Sequence, residues 1–348
     1  MDQKPQLDKR KAFILATVVY EYINTGEPVG SLTLTQKYNL GVSSATIRNE
    51  MAELESGGYL TQLHTSSGRV PSDTGYRTYV DQLMEPEPLG PDEQQRIREE
   101  YRAASMRLND VIESTTKMLS RLSRNLAFVV APARAAQTFR HIQLIWTSGR
   151  AGFAVVVSSL GVAAQVNFES DFEMAADALT MLSNVLNAKL GGFVVRDITS
   201  EQIAEAIVAA GLDTRYRAIV ERALTSASES EDLPEILASG AQHLLDQPEF
   251  HDLRTLRAIL KIVEEQKVLY DLVADSFERR SPLVKIGREL GTDEMTDCSI
   301  VTIPYHVGEA TGMLAILGPR RMPYARMIAL AAGTAQTLNA HLNDNELR

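Results

Sequence analysis

Residues 31–60 read SLTLTQKYNLGVSSATIRNEMAELESGGYL, and this stretch decides how the N-terminal part of the chain folds. It spells helix, tight turn, helix, strand. The first helix starts at Ser31, a good cap, and buries Leu34 and Tyr38. Leu40-Gly41-Val42 is the turn, where Gly41 can take positive φ without a Cβ penalty. Ser43 or Ser44 caps the second helix, which runs to about Glu55 and stops at Gly57-Gly58. Ile47, Met51 and Leu54 share one face at i, i+4 and i+7 and should pack inward. The opposite face is centred on Ala45, Asn49 and Ala52, flanked by Thr46, Arg48 and Glu53. Small and hydrogen-bonding side chains there suit a helix that lies in the major groove of DNA. Asn can pair with adenine, Arg with guanine, and Ser or Thr with bases or phosphates. Ser43 and Ser44 sit at the helix start, where free N–H groups favour a phosphate.

The flanks support this. Upstream, residues 8–24 predict a helix with Asp8 as cap, an apolar stripe of Ile14, Leu15, Val18, Val19 and Tyr22, and a stop at Gly26 before Pro28. Downstream, residues 59–63 alternate like a strand, 64–68 (HTSSG) form a turn-rich tip, and Arg69-Val70-Pro71 returns. Together these elements predict a winged helix-turn-helix. His64 at the tip, Arg69 and Arg77 beside it, and Lys37 on the preceding helix complete the expected DNA-facing set. Taken singly, each of these cations also reads as a solvated surface charge.

Composition narrows the rest. The 348 residues suffice for two or three domains, and 44% are hydrophobic, so real cores can form. No apolar run approaches the length of a membrane span, and the N-terminus lacks a signal-peptide core. One cysteine, Cys298, excludes an intrachain disulfide framework and suits a reducing compartment, so a cytoplasmic protein is expected. The net charge of −10 counts against a nucleic-acid binder. Residues 1–85 do not reverse it: eight basic and ten acidic residues leave −2. Non-specific affinity should be modest, and binding must rest on a few placed cations and base contacts, doubled by dimerisation.

Along the chain, residues 84–92 (MEPEPLGPD) form a stiff proline-rich linker and a natural hinge. A long helix is expected over 93–125, then a buried strand at 126–131 stopped by Pro132. Three strands at 142–146, 153–157 and 162–168 form an antiparallel meander. Helical stretches follow near 173–189, 201–210, 213–227 and 233–246. A second long helix is expected over 253–277, then strands at 283–286, 298–305 and 312–317, the loop GPRRMP at 318–323 and a last helix over 324–342. The pattern is α+β: a winged-helix domain (1–85), then an α+β domain (86–136 and 249–348) interrupted by a second α+β unit (137–248). Compactness of that insert makes it the expected dimer interface.

Five stretches, GEPVGSLTL, VSSATIRNEMAELE, HTSSGRVPSDTGYRTYVD, GAQHLLDQPEF and GMLAILGPRRMPYARMI, resemble the HrcA family of bacterial repressors of heat-shock chaperone operons. The resemblance runs from about residue 9 to 342, and is most specific over 42–55 and 64–81. It implies that the interrupted domain is GAF-like and that the insert dimerises. It also implies a homodimer on the CIRCE inverted-repeat operator, with activity sustained by the GroE chaperonin. Leu32 stands where the family pattern carries a lysine.

Two rival readings compete with this one. In one, the GAF-like domain binds a small molecule and Arg320 and Arg321 grip its anion; the plainer reading is a surface turn that tethers the last helix. In the other, Cys298 or Glu265 serves an enzyme, which fails for want of a partner base or metal. The six histidines are scattered, no cluster has metal-ligand spacing, and no phosphate-binding glycine motif occurs. No catalytic residue, metal or cofactor is expected.

Overall fold

The computed structural model describes residues 7–346 except 39–40, 65–66, 104–107, 133–136, 160, 229–233, 252–260, 262–264, 278, 280–281 and 309. The chain is mixed α/β. It opens with α1 (Lys9–Thr25), α2 (Ser31–Lys37) and α3 (Ser44–Ser56), then a hairpin of β1 (Leu60–Gln62) and β2 (Arg69–Pro71). Local signals set these bounds. Asp8 accepts from the backbone N–H groups of Arg10 and Lys11 and caps α1, and Gly26 ends it at φ +70°. Gly30, not Ser31, is the cap residue of α2. The Ser31 hydroxyl instead lies 3.0 Å from that of Ser44 and joins the starts of α2 and α3. Helix α4 (Asp73–Thr78) follows, with a π-helical turn over Tyr79–Leu83.

The expected single helix over 93–125 is two helices, α5 (Pro91–Ala103) and α6 (Leu108–Ser123). The Tyr101 hydroxyl lies 2.8 Å from that of Thr115. Fourteen residues of straight helix would put them about 21 Å apart, so the two segments must fold back on each other.

An antiparallel sheet in the order β7-β3-β10-β9-β8 organises the C-terminal part. Its strands are β3 (Leu126–Val130), β7 (Ile236–Ser239), β8 (Leu283–Ile286), β9 (Cys298–Val307) and β10 (Ala310–Pro319). Both faces are buried, which is why these strands read as near-continuous apolar runs. Alternation sends Ala127, Val129, Val301, Ile303, Leu314 and Ile316 to one core, and Leu126, Phe128, Val130, Ile300, Met313 and Leu317 to the other. The first face is covered by α6 and the last helix, α12 (Tyr324–Glu346), with α5 packed on both helices.

Between β3 and β7 the chain builds another core. Strands β4 (Phe139–Ser148), β5 (Ala151–Ser158) and β6 (Gly161–Glu169) form the expected meander. They pack on α7 (Ala176–Leu190), α8 (Ser200–Ala209) and α9 (Arg217–Ser228). Helix α7 also closes one sheet edge: the Asn187 amide bonds the Ile142 N–H and carbonyl at 2.7 and 3.1 Å, and Ser183 Oγ accepts from the Leu144 N–H. That covers groups an edge strand would otherwise offer to another chain. Buried Gln137 ties entry to exit, donating to the Ala227 carbonyl at 2.6 Å.

The helix expected over 233–246 is corrected. Strand β7 pairs with β3, and the short helix α10 (Ala241–Leu245) places Leu244 in the same core as Phe128. Cross-strand pairing overrides the helical pattern, and these residues belong with the five-stranded sheet, not with the meander. Of the helix expected over 253–277, Leu256, Ile259, Leu260 and Val263 lie outside the described residues; Gln266–Val273 forms α11, and a 3-10 turn over Ala274–Ser276 follows it.

The linker is no free hinge. Leu83, Met84 and Leu89 pack on a core running unbroken from Ile14 and Leu15 of α1 to Leu338 of α12. A Cβ added at Gly333 would meet Leu89 at 2.3 Å, so α12 and the linker touch closely. Among the described residues no helix is long and apolar enough to cross a membrane.

Candidate nucleic-acid interface

Helix α3 is held from below by Ile47, Met51 and Leu54, which are buried against α1 and Leu34 of α2. Each such side chain contributes roughly 1.5–3 kcal/mol by leaving water. Ser43 caps the helix, accepting from the Thr46 N–H at 3.2 Å, a bond worth about 1 kcal/mol. Gly41 takes φ +65° in the preceding turn. Ser43, Ala45, Arg48 and Asn49 are exposed, and Ser44, Thr46 and Ala52 are half-buried. One narrow face therefore carries small residues, an amide and a guanidinium. Among the described residues Arg48 has no carboxylate partner.

The other expected cations are engaged. Lys37 Nζ bonds Glu21 at 2.6 Å, and the Tyr38 hydroxyl donates to the same buried carboxylate at 2.6 Å. These bonds hold the Glu21 carboxyl below the usual range despite its burial, which pushes the other way. They pin α2 to α1. Arg69 is only 15% exposed in its side chain, and its Nε donates to Glu55 at 2.9 Å. Its backbone exchanges two hydrogen bonds with Val29, making the connection before α2 a third rung of the hairpin. Arg69 thus fixes the hairpin against α3.

Arg77, expected on phosphates, is placed elsewhere. Its guanidinium bonds both oxygens of Glu289, Asp81 at 3.1 Å and the Val284 carbonyl at 2.6 Å. It joins α4 to the five-stranded sheet. Arg320 and Arg321, the alternative anion grip, are likewise ion-paired, with Asp73 and Glu249.

The acidic balance of this region also changes meaning. Helix α3 carries Glu50, Glu53 and Glu55, which would repel DNA. Arg10 pairs with Glu50 at 3.0 Å, Lys11 with Glu53 at 2.8 Å and Arg69 with Glu55. Glu21, Glu55, Arg10 and Lys11 are thus supporting residues that sequence reasoning missed. The adjacent Arg10 and Lys11 were a local signal, but their partners lie about 40 residues away.

At the hairpin tip the Ser67 N–H and Oγ both reach the His64 carbonyl, at 2.8 and 2.7 Å, and the His64 N–H reaches Ser67 Oγ at 3.0 Å. His64 is exposed beside Leu63, which is 57% exposed. Gly68 has no space for a Cβ, which would lie 2.5 Å from the Val29 backbone. Leu32 is exposed on α2. The surface that results, a serine-capped helix end, a small polar face and an exposed His64, can accept a phosphate and meet base edges.

Comparison with known proteins agrees with a regulator of transcription. A family model described as HrcA protein C terminal domain matches residues 109–328. The heat-inducible transcription repressor HrcA of Pelotomaculum thermopropionicum is 38% identical over 331 residues, covering 93% of this chain and 94% of that one. The repressor of the same name from Desulforudis audaxviator is 37% identical over 337 residues, covering 96% and 97%. The chain belongs to the HrcA family. A crystal structure of a hypothetical protein at 2.2 Å shares the fold, with a TM-score of 0.59 and 24% identity over 97% of this chain and 98% of that one.

Proposed function

We propose that this protein is a sequence-specific DNA-binding repressor of heat-shock chaperone operons, reading the CIRCE inverted repeat as a homodimer. In this reading residues 8–83 are a winged helix-turn-helix with α3 as recognition helix. Asn49 and Arg48 read bases. Ser43, Ser44 and Thr46 meet phosphate or sugar, Lys37 steadies α2 through Glu21, Ala45 allows close approach, and His64 lies at the wing tip. Arg69 positions the wing. The observation that carries the reading is the exposed face of Ala45, Arg48 and Asn49 on a helix whose other faces are packed or charge-paired.

The five-stranded unit is read as GAF-like, and the segment from Gln137 to about residue 228 as the dimerising insert. Exposed Trp146, Met181, Phe193 and Val208, all on that segment, support an interface there. Family resemblance supports GroE chaperonin as the activity-sustaining partner, in the cytoplasm. The test is titration of an inverted-repeat duplex with full-length protein, then with chaperonin, then with added denatured protein. Tight, repeat-dependent binding, raised by chaperonin and lowered again by the competitor, is expected. Binding no tighter than to random duplex would refute the DNA reading. Indifference to both additions would refute the chaperonin part alone.

A further inference from the structure

The loop GPRRMP at 318–323 has no place on the proposed DNA-facing surface, yet its two arginines reach two distant parts of the chain. Arg320 Nη1 donates to Asp73 at 2.8 Å, with Asp297 at 3.6 Å. Asp73 opens α4, and Arg77 of the same helix holds Glu289 and the Val284 carbonyl. Between them Tyr76 is fully buried, its ring edge-on to Tyr324 with centroids 6.0 Å apart. Positions 73, 76 and 77 share one face of α4, so that whole face is docked. Gly287, at φ +54°, has no room for a Cβ, which would lie 2.6 Å from the Asp73 carboxylate.

Arg321 faces the other way. It pairs with Glu249 and donates to Gln247 at 3.1 Å, in the segment that returns from the meander unit. Its guanidinium also passes 3.7 Å from where a Cβ on Gly26 would stand, at the end of α1. One short loop therefore grips the N-terminal helices, the five-stranded sheet and the return from the insert.

We infer that Arg320 and Arg77 are positioning residues that fix the angle of residues 8–83 against the rest of the protomer, with Arg321 bracing the loop from Glu249, and so set the spacing of the two reading heads in a dimer. The inference rests on the inverted-repeat reading above and deepens it. Two heads reinforce each other only when their separation matches the half-sites, because the second contact is then effectively intramolecular. A rigid junction supplies that match. A loosened one leaves each head able to bind but removes the preference for one spacing.

The test uses full-length protein and three duplexes: a single half-site, the inverted repeat, and the repeat with its spacer lengthened by about half a helical turn, roughly 5 base pairs. Wild type should favour the unaltered repeat. Arg320→Ala combined with Arg77→Ala should keep half-site affinity within about twofold while losing roughly tenfold of the spacing preference. Arg320→Lys retains the charge without the forked geometry and keeps the test readable should the double variant unfold; it should lose part of the preference. Exchange of the partners, Asp73→Arg with Arg320→Asp, should restore spacing preference relative to Arg320→Asp alone. An unchanged spacing preference, or equal loss on half-site and repeat, would overturn the inference. A wild type that binds half-site and repeat alike would instead refute the dimeric reading beneath it.

Discussion

Arg69 of the hairpin and Glu55 of α3 form a 2.9 Å ion pair that ties the proposed wing to the proposed recognition helix. The pair turns two charges of opposite effect on DNA into one mechanical link. Arg69→Ala and Glu55→Gln should therefore act in the same direction, each weakening operator binding by about 1–2 kcal/mol as the wing shifts. Binding assays on the two variants and their double mutant check this. Stronger binding of Glu55→Gln to every duplex would show that Arg69 is a phosphate contact restrained by Glu55.

Arg48 is exposed and, among the described residues, has no carboxylate partner. Arg48→Ala should weaken binding and lower the salt slope of log K by about one unit, since one fewer counterion is released. Arg77→Ala should leave the slope unchanged, because its guanidinium already faces Glu289. The two slopes, measured on one duplex between low and moderate salt, separate these roles.

Glu21 links α1 to α2 through Lys37 and Tyr38. Its folded-state carboxyl lies below the ordinary value of 4.5, so its contribution is present above that pH and lost as pH falls through the lower folded value. Glu21→Ala should cost about 1–3 kcal/mol at neutral pH. That difference from wild type should shrink on acidification below the ordinary glutamate range. Denaturant unfolding across that pH window measures it, and a gap independent of pH would contradict the assignment.

Tyr76 is fully buried, and its hydroxyl has no hydrogen-bond partner among the described residues. Tyr76→Phe should be neutral or stabilising, because removing an unpaired buried polar atom relieves its desolvation cost. Tyr76→Ala should cost about 3–5 kcal/mol through the cavity left against Tyr324. Thermal denaturation of both variants decides the point; strong destabilisation by Phe would mean the hydroxyl is bonded.

What could be read from the sequence was local. Asp8, Gly26, Gly41 and Ser43 each mark a helix end through chemistry confined to a few residues, and the structure places them as caps or turns. The face of Asn49 and Arg48 was legible for the same reason. Pairing over distance was not. Arg77 finds Glu289 across 212 residues and Arg320 finds Asp73 across 247, and nothing in either neighbourhood marks the partner. Residues 236–239 are too short for periodicity to reveal a strand, and only β3 makes them one. The proline-rich linker looked like a hinge because its composition is that of one, while Leu89 and the α4 face dock it.

The most direct measurement is competitive titration of wild type and Asn49→Ala on the inverted repeat and on a scrambled duplex of equal length and charge. Wild type should prefer the repeat. Asn49→Ala should lose about 1–3 kcal/mol on the repeat and almost nothing on the scrambled duplex, with unfolding unchanged. Equal loss on both duplexes, or no loss on either, would contradict the claim that α3 reads the operator.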